Sequence, residues 1–264
     1  MSYKKFRLKR LQLFEFNDLQ WCPNIFRSMT TSFLHAIIEK YKPYSPKLDL
    51  IIEAIKSSKS NKIIDLCSGS LGPWLHLQKQ IEKNYNDKIN IVFTDKYPNI
   101  VLADKINSFN NFTYYSKSVD ARDVPLSLNG TRTIFNGLHH FSPDDAQKII
   151  DNSIYNQQPI IIFELLRRSW LDITIVTIFT PFYVLLFTPF LMKLSFKNIF
   201  FTYIVPIFPI IFTWDTIVSN IRCYSEEELK SMMKKADKKK NYKWDIGRYR
   251  HKRFPVLYCI AYPK

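Results

Sequence analysis

Residues 63–77 read IIDLCSGSLGPWLHL. An apolar, β-branched run ends in Asp65, the chain passes through small residues, and a Pro-Trp pair opens a helix-like segment. β-branched residues suit a pleated strand. Glycine lets the backbone turn tightly and approach a ligand. A helix begun there points its free N–H groups back at the turn. Strand, turn and helix are the start of a βαβ unit. With two glycines in the turn, Gly69 and Gly72, the stretch reads either as a plain tight connection or as a loop that cradles a cofactor.

Working outward, strand and helix patterns alternate. Residues 45–56, SPKLDLIIEAIK, predict a helix with Ser45 as N-cap and Pro46 as first residue. Its apolar positions Leu48, Ile51, Ile52 and Ile55 fall at helical spacing. Strands are expected at Lys62–Leu66, Ile89–Thr94, Tyr114–Val119, Thr131–Phe135 and Ile160–Phe163. Helices are expected at Leu75–Glu82 and from Ser142-Pro143-Asp144-Asp145 to about Ser153, with acids at the positive end of the dipole. Later, Ser225 and Glu228 form a capping box that opens a helix. Lys243–Arg248 and Val256–Ala261 read as two final strands. This alternation predicts a mostly parallel α/β sheet with ligands beyond the carboxyl ends of its strands.

Those strand ends hold a pattern. Asp65 follows the first strand with Cys67, Ser68, Gly69 and Gly72 in its turn. Asp95-Lys96 follows the second, where an acid can accept from ribose hydroxyls. Asp120-Ala121 follows the third. Asn136-Gly-Leu-His139-His140-Phe follows the fourth. Each acid taken alone is as well explained as a cap or turn residue. Together they resemble the class I S-adenosylmethionine-dependent methyltransferases, whose Rossmann-like fold has seven strands. The resemblance covers roughly residues 45–165 and 220–262. It implies S-adenosyl-L-methionine as cofactor, held by Asp65, Cys67, Ser68, Gly69, Gly72, Asp95, Lys96, Asp120, Ala121 and Asn136. It places His139 or His140 as a base near the transferred methyl, since histidine titrates near neutrality. Cys67 and Leu71 stand where glycine is commonest in that family. The segments FEFNDLQWCPNIFR (14–27), DLCSGSLGPW (65–74) and WDTIVSNIRCYSEEEL (214–229) resemble, more narrowly, a bacterial group of methyltransferases of poorly defined substrate.

Two further groups are candidate substrate contacts. Glu15, Asp18, Trp21 and Arg27 lie in the N-terminal segment, where Arg27 could clamp a carboxylate and Trp21 could wall a pocket. Ordinary helix packing and ion pairing would explain them too. Asp215, Ser219 and Arg222 share one helical face. They either face the pocket or tie their helix to the core.

Residues 170–214 break the α/β pattern. Ile173–Met192 and Asn198–Trp214 are uncharged runs of twenty and seventeen residues, interrupted by Pro181, Pro189, Pro206 and Pro209. Each approaches spanning length. The first expectation is a pair of broken helices dipping into one leaflet, the second a lid buried over the substrate pocket, the third a two-span hairpin. Arg167, Arg168 and Arg222 suit a cytoplasmic face. The expected segments are 1–45 as an N-terminal cap, 46–169 as the cofactor-binding α/β core, 170–214 as a hydrophobic insertion, and 215–264 as completion of the core.

The chain's 264 residues allow one domain with an insertion, and its formal charge of +15 favours an anionic partner such as an acidic membrane surface. Four cysteines lack zinc spacing, so no metal site or disulfide framework is expected. The basic N-terminus has no apolar core of a signal peptide. The leading expectation is a methyltransferase acting on a hydrophobic or lipid small molecule. A nucleic-acid methyltransferase is disfavoured because NGLH replaces the N/D-P-P-Y/F segment used for exocyclic amines. A membrane protein that keeps the fold without catalysis is the non-enzymatic alternative.

Overall fold

The structure is a computed structural model that describes residues 8–58, 60–85, 87–98 and 100–264. The described chain runs α1 (Asn24–Tyr41), α2 (Leu48–Ser57), β1 (Lys62–Asp65), α3 (Trp74–Tyr85), β2 (Asn90–Phe93), α4 (Ile100–Asn107), β3 (Phe112–Tyr114), β4 (Thr131–Phe135), α5 (Pro143–Tyr155), β5 (Ile160–Glu164), α6 (Trp170–Leu191), α7 (Phe196–Ile199), α8 (Ile207–Arg222), α9 (Glu226–Ala236), β6 (Tyr242–His251) and β7 (Phe254–Pro263). It forms two compact units. One holds the chain up to Lys40 with Leu166–Tyr224, and the other holds Tyr41–Leu165 with Ser225–Lys264. Residues 215–224, expected with the α/β core, belong to the first unit because α8 continues unbroken to Arg222.

The α/β unit contains, among the described residues, one seven-stranded sheet of order β3-β2-β1-β4-β5-β7-β6. β1 to β5 pair in parallel, and β7 and β6 close the edge antiparallel. Strands buried on both faces need continuous apolar runs. Ile63-Ile64 in β1 and Ile160–Phe163 in β5 supply them and are fully enclosed. The chain lays β2 and β3 on one side of β1, then returns to place β4 on the other. A crevice opens where the order reverses, at the carboxyl ends of β1 and β4.

Local signals hold where caps decide. The Ser142 hydroxyl accepts from the Asp145 N–H at the start of α5. Ser225 and Glu228 complete the capping box of α9. Two expectations are corrected. Ser45-Pro46-Lys47 is a separate 3₁₀ turn, Ser45 donates its hydroxyl to Gln80 Oε1 at 2.8 Å, and α2 starts at Leu48. β3 lies at Phe112–Tyr114, not Tyr114–Val119. Its partner β2 ends at Phe93, opposite Tyr114, so later residues have no ladder to join, and Val119 N–H turns back to the Asp95 carbonyl.

The other unit is built on α1, α6, α7 and α8 with the N-terminal segment. Phe33 of α1 meets the rings of Tyr183, Phe208 and Phe212 edge-on. The expected broken helix pair is corrected in its first half: α6 is continuous for 22 residues with Pro181 and Pro189 inside. Proline removes the N–H that would bond four residues back, which orphans the Leu185 carbonyl opposite Pro189. The Tyr203 hydroxyl donates to that carbonyl at 2.6 Å. The second run is broken: Phe196–Ile204 and Ile207–Arg222 meet at a 76° bend. The fully buried lid is also corrected, because Phe179, Phe182, Leu186 and Phe190 on α6 are all more than half exposed.

One face of α8 fastens the N-terminal segment. Asp215 accepts from the Phe16 N–H at 2.7 Å and from Asn17 Nδ2 at 2.6 Å. Ser219 donates to Glu15 at 2.9 Å, and Arg222 bridges Asp18 at 2.6 Å and Glu15 at 3.2 Å. Glu15 and Arg222 are both buried. Removing one partner of a buried ion pair strands the other charge. Arg222→Met is expected to lower unfolding free energy by about 3–5 kcal/mol in denaturant titrations, with much of the loss recovered when Glu15→Gln and Asp18→Asn are added.

Candidate active site

The crevice at the switch point is framed by the turn after β1 and the turn after β4. Asp65 is the last residue of β1 and is buried. It accepts from the Thr133 hydroxyl of β4 at 2.6 Å. Burial lifts its carboxyl from 3.8 to about 7, with the Thr133 bond pulling the other way. In the turn that follows, Cys67, Gly69 and Gly72 adopt positive φ of 54°, 53° and 49°. A side chain at Gly69 would meet nothing within 4 Å, so the turn is an open cradle there. Leu71 is buried in the core and leaves the cradle clear. Cys67 braces the opposite turn: a Cβ added at Gly137 would lie 3.4 Å from Cys67 Cβ. Burial pushes the Cys67 thiol far up, with Asp95 and Asp65 adding to it, so it stays protonated and unreactive.

Asp95 lies two residues past β2 and faces the cradle. Its carboxylate accepts from the Gly69 N–H at 3.1 Å and the Tyr97 N–H at 2.9 Å. Asp120 lies six residues past β3 and is already committed. Arg122 grips it through two bonds of 2.8 and 2.5 Å, and Lys96 approaches at 3.2 Å. Hydrogen bonding from Arg122 holds the Asp120 carboxyl well below the usual carboxylate range, against partial burial. Ser68 donates its N–H to the Thr94 carbonyl at 3.1 Å, and Ala121 is buried. Asn136, at φ 52°, spends its amide on the fold: its oxygen accepts from the Leu165 N–H and its Nδ2 donates to the Tyr44 hydroxyl.

His139 and His140 stand on a 3₁₀ turn, Leu138–His140, with ring centroids 4.2 Å apart. His139 is buried and meets Glu164 twice. Its backbone N–H donates to Oε1 at 3.1 Å, and its Nδ1 lies 2.7 Å from Oε2. Burial pushes the Glu164 carboxyl up, but the charge of His139 and its hydrogen bonds outweigh this and leave it lowered. Glu164 was not among the expected residues. The signal was present: it closes IIIFE, an acid ending a wholly apolar strand, the same reading that picked out Asp65 and Asp95.

The N-terminal candidates lie in the other unit. Trp21 is 70% exposed, edge-on to Phe16. The Arg27 guanidinium donates to the Leu19 carbonyl. Asp215, Ser219 and Arg222 tie their helix to the N-terminal segment, as described above. With Phe26, Ile207, Ile210 and Ile211, Trp21 also lines an apolar groove of about 360 Å³.

No family model matches the sequence, and no curated protein matches it. Solved structures do. PigF with bound SAH aligns with a TM-score of 0.50 at 13% identity, covering 93% of this chain and 61% of that one. A Rhodobacter sphaeroides protein provisionally named a Zn-dependent alcohol dehydrogenase also gives 0.50, at 8% identity, covering 90% and 98%. The fold is Rossmann-like, of the class I methyltransferase type. Human N-acetylserotonin methyltransferase in complex with SAM gives 0.49 at 13% identity, covering 90% of this chain and 57% of that one. The chain thus spans about three fifths of PigF and of the human enzyme. Two differently named proteins share this class I fold, so the likeness speaks for architecture and leaves the chemistry to the residues.

The raised Asp65 carboxyl has a thermodynamic consequence. In the unfolded chain it loses its proton near 3.8, and in the folded chain near 7. Its contribution is therefore complete below the lower value and lost as pH rises through the higher one. Across that window Asp65 is expected to cost up to about 4 kcal/mol of stability. Urea titrations at pH 4 and pH 7 check this: Asp65→Asn flattens the pH slope relative to the native chain.

Proposed function

We propose that the chain is an S-adenosylmethionine-dependent methyltransferase acting on a hydrophobic, membrane-borne small molecule at the cytoplasmic face of a membrane. The observation that carries this reading is the buried His139–Glu164 pair, beyond the end of β4 at the switch point where the Gly69 cradle opens. PigF, whose structure holds SAH, shares the fold.

The residues fit such a cofactor. The open space at Gly69 admits a ligand against the backbone. Each Asp95 oxygen accepts one backbone N–H and keeps capacity for a ribose hydroxyl. Asp120, one of the expected cofactor residues, is paired with Arg122 and Lys96. We assign it to ordering the rim of the crevice. When bound, S-adenosylmethionine supplies a methyl group on a positively charged sulfur.

The chain's own part is proton handling and positioning. Glu164, ionised, accepts a hydrogen bond from the His139 Nδ1–H, which fixes the ring tautomer that is basic at Nε2. We assign His139 as the base for the proton of a hydroxyl or amine acceptor. The same carboxylate also holds the His139 backbone, so ring and main chain are oriented together. Asn136 holds the turn by linking it to Leu165 and Tyr44. A hydrophobic acceptor is the reading that the long, apolar, exposed α6 supports.

Calorimetry with S-adenosylmethionine tests the reading. The native chain binds it, Asp95→Ala binds at least tenfold more weakly, and His139→Ala binds normally. In methyl-transfer assays on a lipid extract, His139→Ala lowers kcat by about 10²–10⁴-fold, and Glu164→Gln falls between it and the native chain. A native chain that takes up no cofactor ends the methyltransferase reading.

A further inference from the structure

The surface of α6, α7 and α8 has a second role that rests on this unit alone. On α6, the exposed residues Ile175, Ile178, Phe179, Phe182, Leu186 and Phe190 recur at helical spacing and form one apolar stripe. The stripe continues past the helix end through Leu194, Phe196 and Ile204, all exposed. The opposite side of α6 is the packed one, where Val184 and Thr188 are buried. Contiguous apolar surface of this extent marks an interaction site.

Three observations choose the partner. First, between Asp172 and Asp215 the chain has no carboxylate, and its charges are Lys193 and Lys197. Both lysines are exposed. Second, four hydroxyls of the insert are spent on its own backbone. Thr177, Thr188 and Thr213 donate to carbonyls four residues back on their own helices, and Tyr203 donates to Leu185. A protein interface offers about one hydrogen bond per 100–200 Å² and is depleted in lysine, whereas hydrocarbon requires polar groups to be satisfied internally. Third, topology limits how deep the insert goes. The chain before it, to Leu165, and the chain after it, from Ser225, belong to one compact unit, so any crossing must be matched by a return. α6 is long enough to cross, at about 33 Å. The return leg is bent by 76°, and its straight apolar part, Ile207–Trp214, covers only about 12 Å before Asp215.

We infer that α6–α8 is a one-leaflet anchor for an anionic bilayer: the Ile175–Phe190 stripe enters the acyl boundary, and Lys193 and Lys197 reach lipid phosphates. Long lysine stems carry the charge to the headgroups while the neighbouring side chains stay submerged. The anchor is independent of methyl transfer. A chain that binds vesicles and transfers no methyl group upholds it while ending the enzyme reading.

Flotation of the full chain with sealed vesicles tests the inference, comparing phosphatidylcholine alone with phosphatidylcholine containing a third phosphatidylglycerol. The chain is expected to float with the anionic vesicles and to release at high salt in part. Lys193→Glu with Lys197→Glu, at exposed positions that leave the fold intact by circular dichroism, lowers that binding at least tenfold. Phe182→Ser with Phe190→Ser abolishes it. In the bound chain, Ser195→Cys reacts with an impermeant maleimide added outside the vesicles. Binding that ignores phosphatidylglycerol, or Ser195→Cys protected from outside reagent, overturns the inference. So does a discrete lipid-free dimer that Phe182→Ser dissolves.

Discussion

The hydrogen bond from Thr133 to Asp65 lies where the chain reverses its order of strands. Parallel strands cannot be joined by a tight hairpin, so β1 and β4 meet only after the chain has laid down β2 and β3. The register that sets Asp65 opposite Thr133 brings the two following turns together. The Gly69 cradle and the turn that carries His139 both hang from that pairing. A buried carboxyl with a single strong donor is a costly group to place, and its position at the end of β1, between two strands, makes it a constraint on register as much as a site residue.

From that pairing the shape of the cradle follows. Three residues in left-handed conformation, Cys67, Gly69 and Gly72, carry the chain from strand to helix. Their side chains are sorted by what each must meet. Gly69 faces open space, Leu71 fills the core, and Cys67 presses on the turn that holds Gly137. The residues that depart from a glycine-rich loop therefore stand on its inner side and do not narrow it. Across the crevice, Glu164 orders His139 by ring and by backbone, a double hold that a loop histidine gains only from a neighbouring strand.

The second unit shows the opposite division of labour. The polar face of α8, with Asp215, Ser219 and Arg222, is spent on the segment that carries Glu15 and Asp18. The apolar stripe of α6 is left outside. At Pro189 the helix continues with the Tyr203 hydroxyl donating to the Leu185 carbonyl that the proline left without an N–H. A helix that is hydrophobic on its exposed side, with the Thr177 and Thr188 hydroxyls bonded to its own carbonyls, suits a solvent other than water.

Much of this was legible along the chain. β-branched runs marked β1, β4 and β5, and Ser142 and Ser225 announced the helices they cap, because those signals act within a few residues. Asp65 and Asp95 could be read from strand ends, and Glu164 by the same rule. Other features depended on partners distant in sequence. β3 stopped at Tyr114 because β2 stops at Phe93, and Ser45 gave its hydroxyl to Gln80 instead of capping a helix. Asp120 met Lys96, and Asn136 met Tyr44 and Leu165. The same held for Asp215 and Arg222, whose helical spacing showed one shared face but not what it faced. Local chemistry determined which elements form and where acids and glycines lie, whereas long-range packing decided which of those groups remain available to a ligand, since each buried polar atom must first find its own partner.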